Sequence, residues 1–260
     1  MPEVVNDGVR IHYETEGVGP AVVLVTGAGG DVRMWRDAGY VAGLVGFRSI
    51  LIERRGRGRS DRPRDVEQHR IPRFVGDVAC VLDDLGVEAA GFWGYSSGVF
   101  VGIAFGAAHP DRLKVLVGTG SLSNLDFDRL PPLDPEQWIA EDIAAGGVRV
   151  ELDRYLKEDH DRFPEVIDRN VREGDPLMHA LDRLAWRSWH GPKSVYSALR
   201  SPLLMITGAN EDREGETERT VPALRDARVV RLPGQSHLGT FYRSDLALPH
   251  VLPFLRQHLR

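Results

Sequence analysis

Gly94-Tyr95-Ser96-Ser97-Gly98, set directly behind the apolar run Ala89-Ala90-Gly91-Phe92-Trp93, decides how this chain folds. A strand that turns sharply into a helix while holding a serine at its tip forces unusual backbone angles on that serine. Side chains two residues to either side would collide with the helix, and glycine at both flanks removes the clash. Such a turn exposes the serine hydroxyl above the strand ends and aims the next amide, that of Ser97, at the space where a substrate oxygen would sit. The pattern therefore reads as a nucleophile, although glycine-rich turns also occur as plain connections in α/β chains.

Working outward, Ala21 to Val25 is a β-rich run that ends in Thr26-Gly27-Ala28-Gly29-Gly30. A dinucleotide fingerprint would need glycine where Val32 stands, and a phosphate-binding P-loop would need Gly-Lys-Ser/Thr, which is absent. What remains, beside an ordinary strand-to-helix turn, is a loop whose amides can approach a developing negative charge, Ala28 or Gly29 supplying a second donor beside Ser97. Phe47 to Ile52 reads as another strand. Over residues 73 to 86 the apolar residues Phe74, Val78, Val81, Leu82 and Leu85 share one helical face, and Gly86 closes the helix. The helix after Ser96 is apolar nearly all round until His109-Pro110-Asp111, as expected of a helix buried against a sheet. Val115 to Val117, Leu203 to Thr207 and Val229 to Leu232 complete the strands. Continuous apolar strands alternating with helices predict an α/β fold, a mostly parallel central sheet with helices on both faces.

On these residues the chain resembles the α/β-hydrolase fold family. The likeness spans residues 20 to 120 and 200 to 260. It rests on the glycine loop, Arg55-Gly56-Arg57-Gly58-Arg59-Ser60 ahead of Pro63, the elbow at Ser96, His109 to Arg112, and Gly234-Gln235-Ser236-His237 followed by Phe241. It implies that Ser96 is the nucleophile and that His237, alone of nine histidines, is the base that takes its proton. It places the acid that orients the imidazole after the strand ending at Gly208, where Glu211 is in register and Asp212 is adjacent; Asp126, after the preceding strand, is a third choice. The amides of Ala28 and Ser97 become the oxyanion donors. Serine at the elbow argues against haloalkane dehalogenase and epoxide hydrolase chemistry, for which relatives use aspartate there. The expected reaction is cleavage of a small or medium carboxylic ester or lactone through an acyl-enzyme on Ser96. The alternatives are carbon–carbon bond hydrolysis of a diketone with the same triad, and a non-turnover receptor for a small ligand, since receptors on this fold can retain all three residues.

Two departures from the family pattern stand out. Thr26 precedes Gly27 where many relatives have histidine. The twelve residues Glu53 to Arg64 include six arginines. A net charge of −5 and only three lysines speak against a nucleic-acid partner, so the turn is expected to be solvated and balanced by Glu53, Asp61 and Asp65.

The interval 121–200 differs in character, with clustered prolines at Pro131, Pro132 and Pro135 and patchy apolar spacing through Trp138, Ile143, Leu156, Leu177, Leu181 and Leu184. It is expected to form a helical lid inserted between two core strands, the core being 1–120 and 201–260. Met178, Trp186 and Trp189, with Gly29, are candidate pocket residues. At 260 residues and 42% apolar content the chain can bury a full core. Its single cysteine, Cys80, reads as helix packing and forms no disulfide or metal pattern. No cofactor motif is present. The N-terminus lacks the pattern of a signal peptide, and no stretch approaches the ~20 apolar residues of a membrane span. These features lead to the expectation of a cytoplasmic monomer or homodimer acting on a small molecule, with no membrane or nucleic-acid partner.

Overall fold

The structure, a computed structural model, describes residues 2–120, 134–146, 165, 169, 172–187, 189, 192–211, 215, 217, 220–221, 224 and 226–259. Eight strands form one sheet: β1 (Glu3–Asn6), β2 (Val9–Glu16), β3 (Ala21–Val25), β4 (Arg48–Ile52), β5 (Ala90–Tyr95), β6 (Leu113–Thr119), β7 (Leu203–Gly208) and β8 (Ala227–Leu232). Their order is β1-β2-β4-β3-β5-β6-β7-β8. Only β2 runs against its neighbours; every pairing from β4 through β8 is parallel.

Alternation along the strands feeds two cores. Val23 and Val25 of β3 face the layer containing Phe74, Val78 and Leu82 of α3 (Ile71–Asp84) and Val99, Ile103 and Phe105 of α4 (Ser97–Ala108). Val22 and Leu24 face the opposite layer, which contains Trp35 of α1 (Arg33–Asp37), Tyr40 of α2 (Tyr40–Gly43), Phe241, Val251 and Leu255. The helix expected over 73 to 86 begins at Ile71 instead, because Pro72 fits a first turn, where its missing N–H is not required.

Three described helices lie in the chain between β6 and β7: α5 (Pro135–Ala144), α6 (Pro176–Arg187) and α7 (Pro192–Ala198). α6 packs on α5 and on the short 3-10 turn Val66–His69, and α7 packs on α4. Tyr196 and Leu199, in and just after α7, share the core of Phe105. No helix among the described residues is long and apolar enough to cross a membrane.

Parallel register brings the functional loops to one edge of the sheet. Val25 pairs with Gly94, so the glycine loop leaves β3 beside the elbow leaving β5. Tyr95 pairs with Thr119 and Thr119 with Ile206, which brings the ends of β6 and β7 into the same row. Loops at the carboxyl ends of parallel strands are where open α/β sheets build their sites.

Candidate active site

Ser96 sits between β5 and α4 with φ 52° and ψ −123°, a conformation that costs a non-glycine residue about 1–3 kcal/mol. Its neighbours explain why the turn tolerates nothing larger than glycine at its flanks. A Cβ on Gly94 would lie 2.5 Å from the Gly98 carbonyl carbon, and one on Gly98 would collide with the Val25 carbonyl oxygen. The Ser96 amide donates to the Thr119 carbonyl at 2.8 Å, extending the β5–β6 ladder into the turn. Ser97 opens α4, where the first amides have no intrahelical acceptor.

His237 is the first residue of α8 (His237–Tyr242), whose N-cap Ser236 accepts from the Gly239 amide at 3.2 Å. Its Nε2 is 3.1 Å from Ser96 Oγ and its Nδ1 is 2.6 Å from Glu211 Oε1. With Glu211 ionised, Nδ1 carries the hydrogen and donates to the carboxylate, which leaves the Nε2 lone pair to accept from the serine hydroxyl. The loops bearing the two residues are stitched together: the Ala209 amide donates to the Leu232 carbonyl and the Asn210 amide to the Gln235 carbonyl, each at 3.0 Å. The Glu211 side chain is 7% exposed, that of His237 28%, so the carboxylate is shielded while the imidazole keeps an open side. Of the three acid candidates, Glu211 makes the contact; Asp212 and Asp126 lie outside the described residues.

Two residues without a sequence assignment complete this cluster. The Tyr95 ring stacks on the His237 imidazole at 5.1 Å, and its hydroxyl donates to the His237 carbonyl at 3.3 Å. Gly120 lies against all three groups: a Cβ there would stand 3.3 Å from His237 Cε1 and 3.5 Å from both Glu211 Oε1 and the Ser96 nitrogen.

The glycine loop lies across Ser96, for a Cβ on Gly27 would be 2.6 Å from the serine Cβ. Thr26, in the place where many relatives carry histidine, donates its hydroxyl to the Gly30 carbonyl at 3.2 Å and so closes the loop on itself. Ala28 is exposed at its tip, and Gly29 rests against the imidazole of His179.

The arginine-rich turn corrects the sequence expectation. Instead of being solvated, Arg54, Arg55 and Arg57 are 3%, 0% and 5% exposed. Their counter-charges come from helices distant in the chain, while Asp61 serves Arg10 at 2.7 Å. Arg55 makes a two-pronged contact with Asp77 of α3, at 2.8 and 2.5 Å. Arg54 Nη2 donates to Asp182 of α6 at 3.0 Å, and Arg57 donates to the same oxygen through Nη2 at 2.6 Å and Nε at 3.1 Å. Burial opposes ionisation of Asp182, yet Arg54 and Arg57 hold its carboxyl well below the usual range. Burial, followed by the charge of Arg57, pushes the neighbouring His179 down to about 3. Arg54 and Arg57 therefore make the first half of the turn a buried ionic joint between α6 and the glycine loop, whereas Arg59, Arg62 and Arg64 are exposed, as expected of a solvated turn.

The candidate pocket residues separate. Met178 is buried with its sulfur against Gly56. Trp189 is half-buried, edge-on to Phe100 at 6.2 Å, and the side chain of Trp186 lies outside the described residues. An open cavity of about 650 Å³ lies at the opposite edge of the sheet, between Arg48, Glu88, Asp111 and Lys114, and does not include Ser96.

Comparison with known proteins agrees with this fold. The family model described as alpha/beta hydrolase fold matches residues 20–213. Epoxide hydrolase B of Mycobacterium tuberculosis is 37% identical over 115 residues, 43% of this chain and 32% of its own. Zearalenone hydrolase of Cladophialophora bantiana is 30% identical over 196 residues, 75% of this chain and 63% of its own. The chain spans about a third of the length of the first curated relatives it matches. The solved enol-lactonase from Burkholderia xenovorans has the same fold, with a TM-score of 0.78 at 24% identity over 98% of this chain and 100% of that one.

Proposed function

Since the chain belongs to the alpha/beta hydrolase fold family, we propose that it is a serine hydrolase that cleaves a small or medium carboxylic ester or lactone. The observation that carries this reading is the hydrogen-bonded series Ser96–His237–Glu211, at 3.1 and 2.6 Å, on a strained turn beneath the glycine loop.

Each step follows from the chemistry of these groups. Ser96 Oγ attacks the carbonyl carbon as its proton passes to His237 Nε2. Glu211 keeps the imidazole in the tautomer that can accept that proton and stabilises the imidazolium that forms. The carbonyl oxygen becomes an oxyanion, met by the amides of Ser97 and Ala28. Collapse of the tetrahedral intermediate expels the alcohol oxygen, which takes the proton from His237 and leaves an acyl group on Ser96. A water then gives its proton to His237, attacks the acyl carbon and releases the acid, returning the serine hydroxyl. The enol-lactonase of the same fold makes a lactone a reasonable substrate class. Epoxide hydrolase chemistry is disfavoured, because relatives that open epoxides place aspartate where Ser96 stands. The interval 121–200 is the proposed lid, roofing the serine and setting substrate size.

The test is steady-state hydrolysis of a panel of p-nitrophenyl esters and small lactones. The wild-type protein should turn over many times on at least one member, and Ser96→Ala should not. Turnover retained in Ser96→Ala, or at most a single product per wild-type protein molecule across the panel, would overturn the proposal.

A further inference from the structure

The carbonyl of Gly27 and the amide of Ala28 are two ends of one peptide group. In a planar trans peptide they point in opposite directions, so whatever fixes the carbonyl also fixes the amide. Here the carbonyl is gripped from the buried side. Arg54 Nη2 donates to it at 2.6 Å, and the Gly30 amide donates to it at 3.3 Å. Arg54 is in turn held by Asp182 at 3.0 Å, with its guanidinium 5.5 Å from the centre of the Phe74 ring.

Stability alone does not account for this arrangement. Asp182 already receives two bonds from Arg57, to the oxygen that Arg54 also contacts. The second guanidinium is buried, and its Nε and Nη1 find no hydrogen-bond partner among the described residues, a costly state for a charged group. The element it does serve is the glycine loop. A charge-assisted bond to a carbonyl is roughly twice as strong as a neutral one, and it polarises the whole peptide, making the N–H at the far end a better donor.

From this we infer that Arg54 is a positioning residue that fixes and polarises the Ala28 amide as an oxyanion donor. Asp182 of α6 holds Arg54 in place, so that seating of α6 and formation of the oxyanion site are one event. The inference rests on the serine-hydrolase reading, with Ala28 as the second donor. It makes the excess buried positive charge, two guanidiniums against one carboxylate, part of the machinery that meets the developing oxyanion.

The experiment compares wild type with Arg54→Met, Arg54→Lys and Asp182→Asn. Pre-steady-state acylation by p-nitrophenyl butyrate is measured per site, with sites counted by end-point labelling with a fluorophosphonate, alongside KM, the pH–rate profile and the urea midpoint. Arg54→Met should slow acylation on the order of 10²-fold, the scale of losing one oxyanion donor. KM and the apparent pKa of the rate profile should stay in place, because the substrate pocket and His237 are untouched. Arg54→Lys, still able to donate to Gly27, should recover most of that loss, and Asp182→Asn should fall between. A lowered urea midpoint with an unchanged acylation rate per labelled site would reduce Arg54 to a structural role and overturn the inference while leaving the hydrolase reading intact. A wild-type protein that neither labels nor turns over would overturn both. Should Arg54→Met fail to fold, Arg54→Lys and Asp182→Asn make the same comparison.

Discussion

His179 should make this fold sensitive to mild acid. It is buried against Gly29, and Nη1 and Nη2 of Arg57 each stand 3.3 Å from one of its ring nitrogens. Burial first, then Arg57, with Arg183 and Arg54 behind it, push its pKa from 6.5 down to about 3, against the pull of Asp182. In the unfolded chain this imidazole takes up a proton near pH 6.5, whereas in the folded chain it does so only near pH 3. The unfolded state therefore binds more protons between those values. Stability is fully present above about pH 6.5 and falls with pH at about 1.4 kcal/mol per pH unit inside the window. By pH 4.5 the loss reaches about 3 kcal/mol, a large part of the 5–15 kcal/mol of an ordinary domain. Asp182, held below the usual carboxylate range, loses its contribution only as pH falls below about 4, so the two effects separate. The assay is urea unfolding followed by tryptophan fluorescence between pH 7.5 and pH 4.5, for wild type and His179→Gln. The variant's stability curve should be flatter by about 3 kcal/mol across this range. Parallel curves would refute the reasoning, since they would mean that the buried imidazole titrates alike in both states.

Three further outcomes are expected. Glu211→Gln should lower kcat by roughly 10³–10⁴ with little change in the urea midpoint, because the imidazole loses the partner that sets its tautomer; Asp212→Asn should change kcat only a few-fold, and equal effects of the two would move the acid role away from Glu211. Gly98→Ala drives a Cβ into the Val25 carbonyl oxygen, with the Thr26 oxygen at 2.9 Å, so it should cost about 3 kcal/mol in urea unfolding, and a loss below about 1 kcal/mol would contradict the close-packed elbow. Ser96→Gly removes the strain at φ 52° and should raise stability by about 1 kcal/mol while abolishing turnover, the strain relief being partly offset by glycine's larger conformational entropy; a less stable variant would argue against stored strain.

Most of the elbow could be read from the chain because its constraints are local. Gly94 and Gly98 are required by atoms within a few residues or in the neighbouring strand, and the strands declare themselves as short apolar runs between turns. Glu211 and His237 were reachable because each follows a strand end by a fixed short count. The ionic joint was not legible in the same way. Read along the chain, the arginine turn is balanced by nearby acids, whereas in the fold its buried counter-ions arrive from Asp77 and from Asp182, 128 residues beyond Arg54. A signal did exist. Asp77 lies among Phe74, Val78 and Val81 on the apolar face of α3, and Asp182 lies among Met178, Leu181 and Ala185 on that of α6. A carboxylate on an apolar stripe needs a buried cation, and the arginine run supplies three: Arg55 for Asp77, and Arg54 and Arg57 for Asp182. Tyr95 was passed over because the variable position of the elbow pattern carries no fixed role. Only the fold shows that its ring supports His237.

The most direct test of the central claim is covalent. The folded protein is exposed to a fluorophosphonate, its intact mass is measured, and the modified peptide is mapped. An activated Ser96 predicts one adduct, located on that residue, absent in Ser96→Ala and slow to form in Glu211→Gln. No adduct on the folded wild-type protein, or an adduct that persists in Ser96→Ala, would contradict the assignment of Ser96 as the nucleophile.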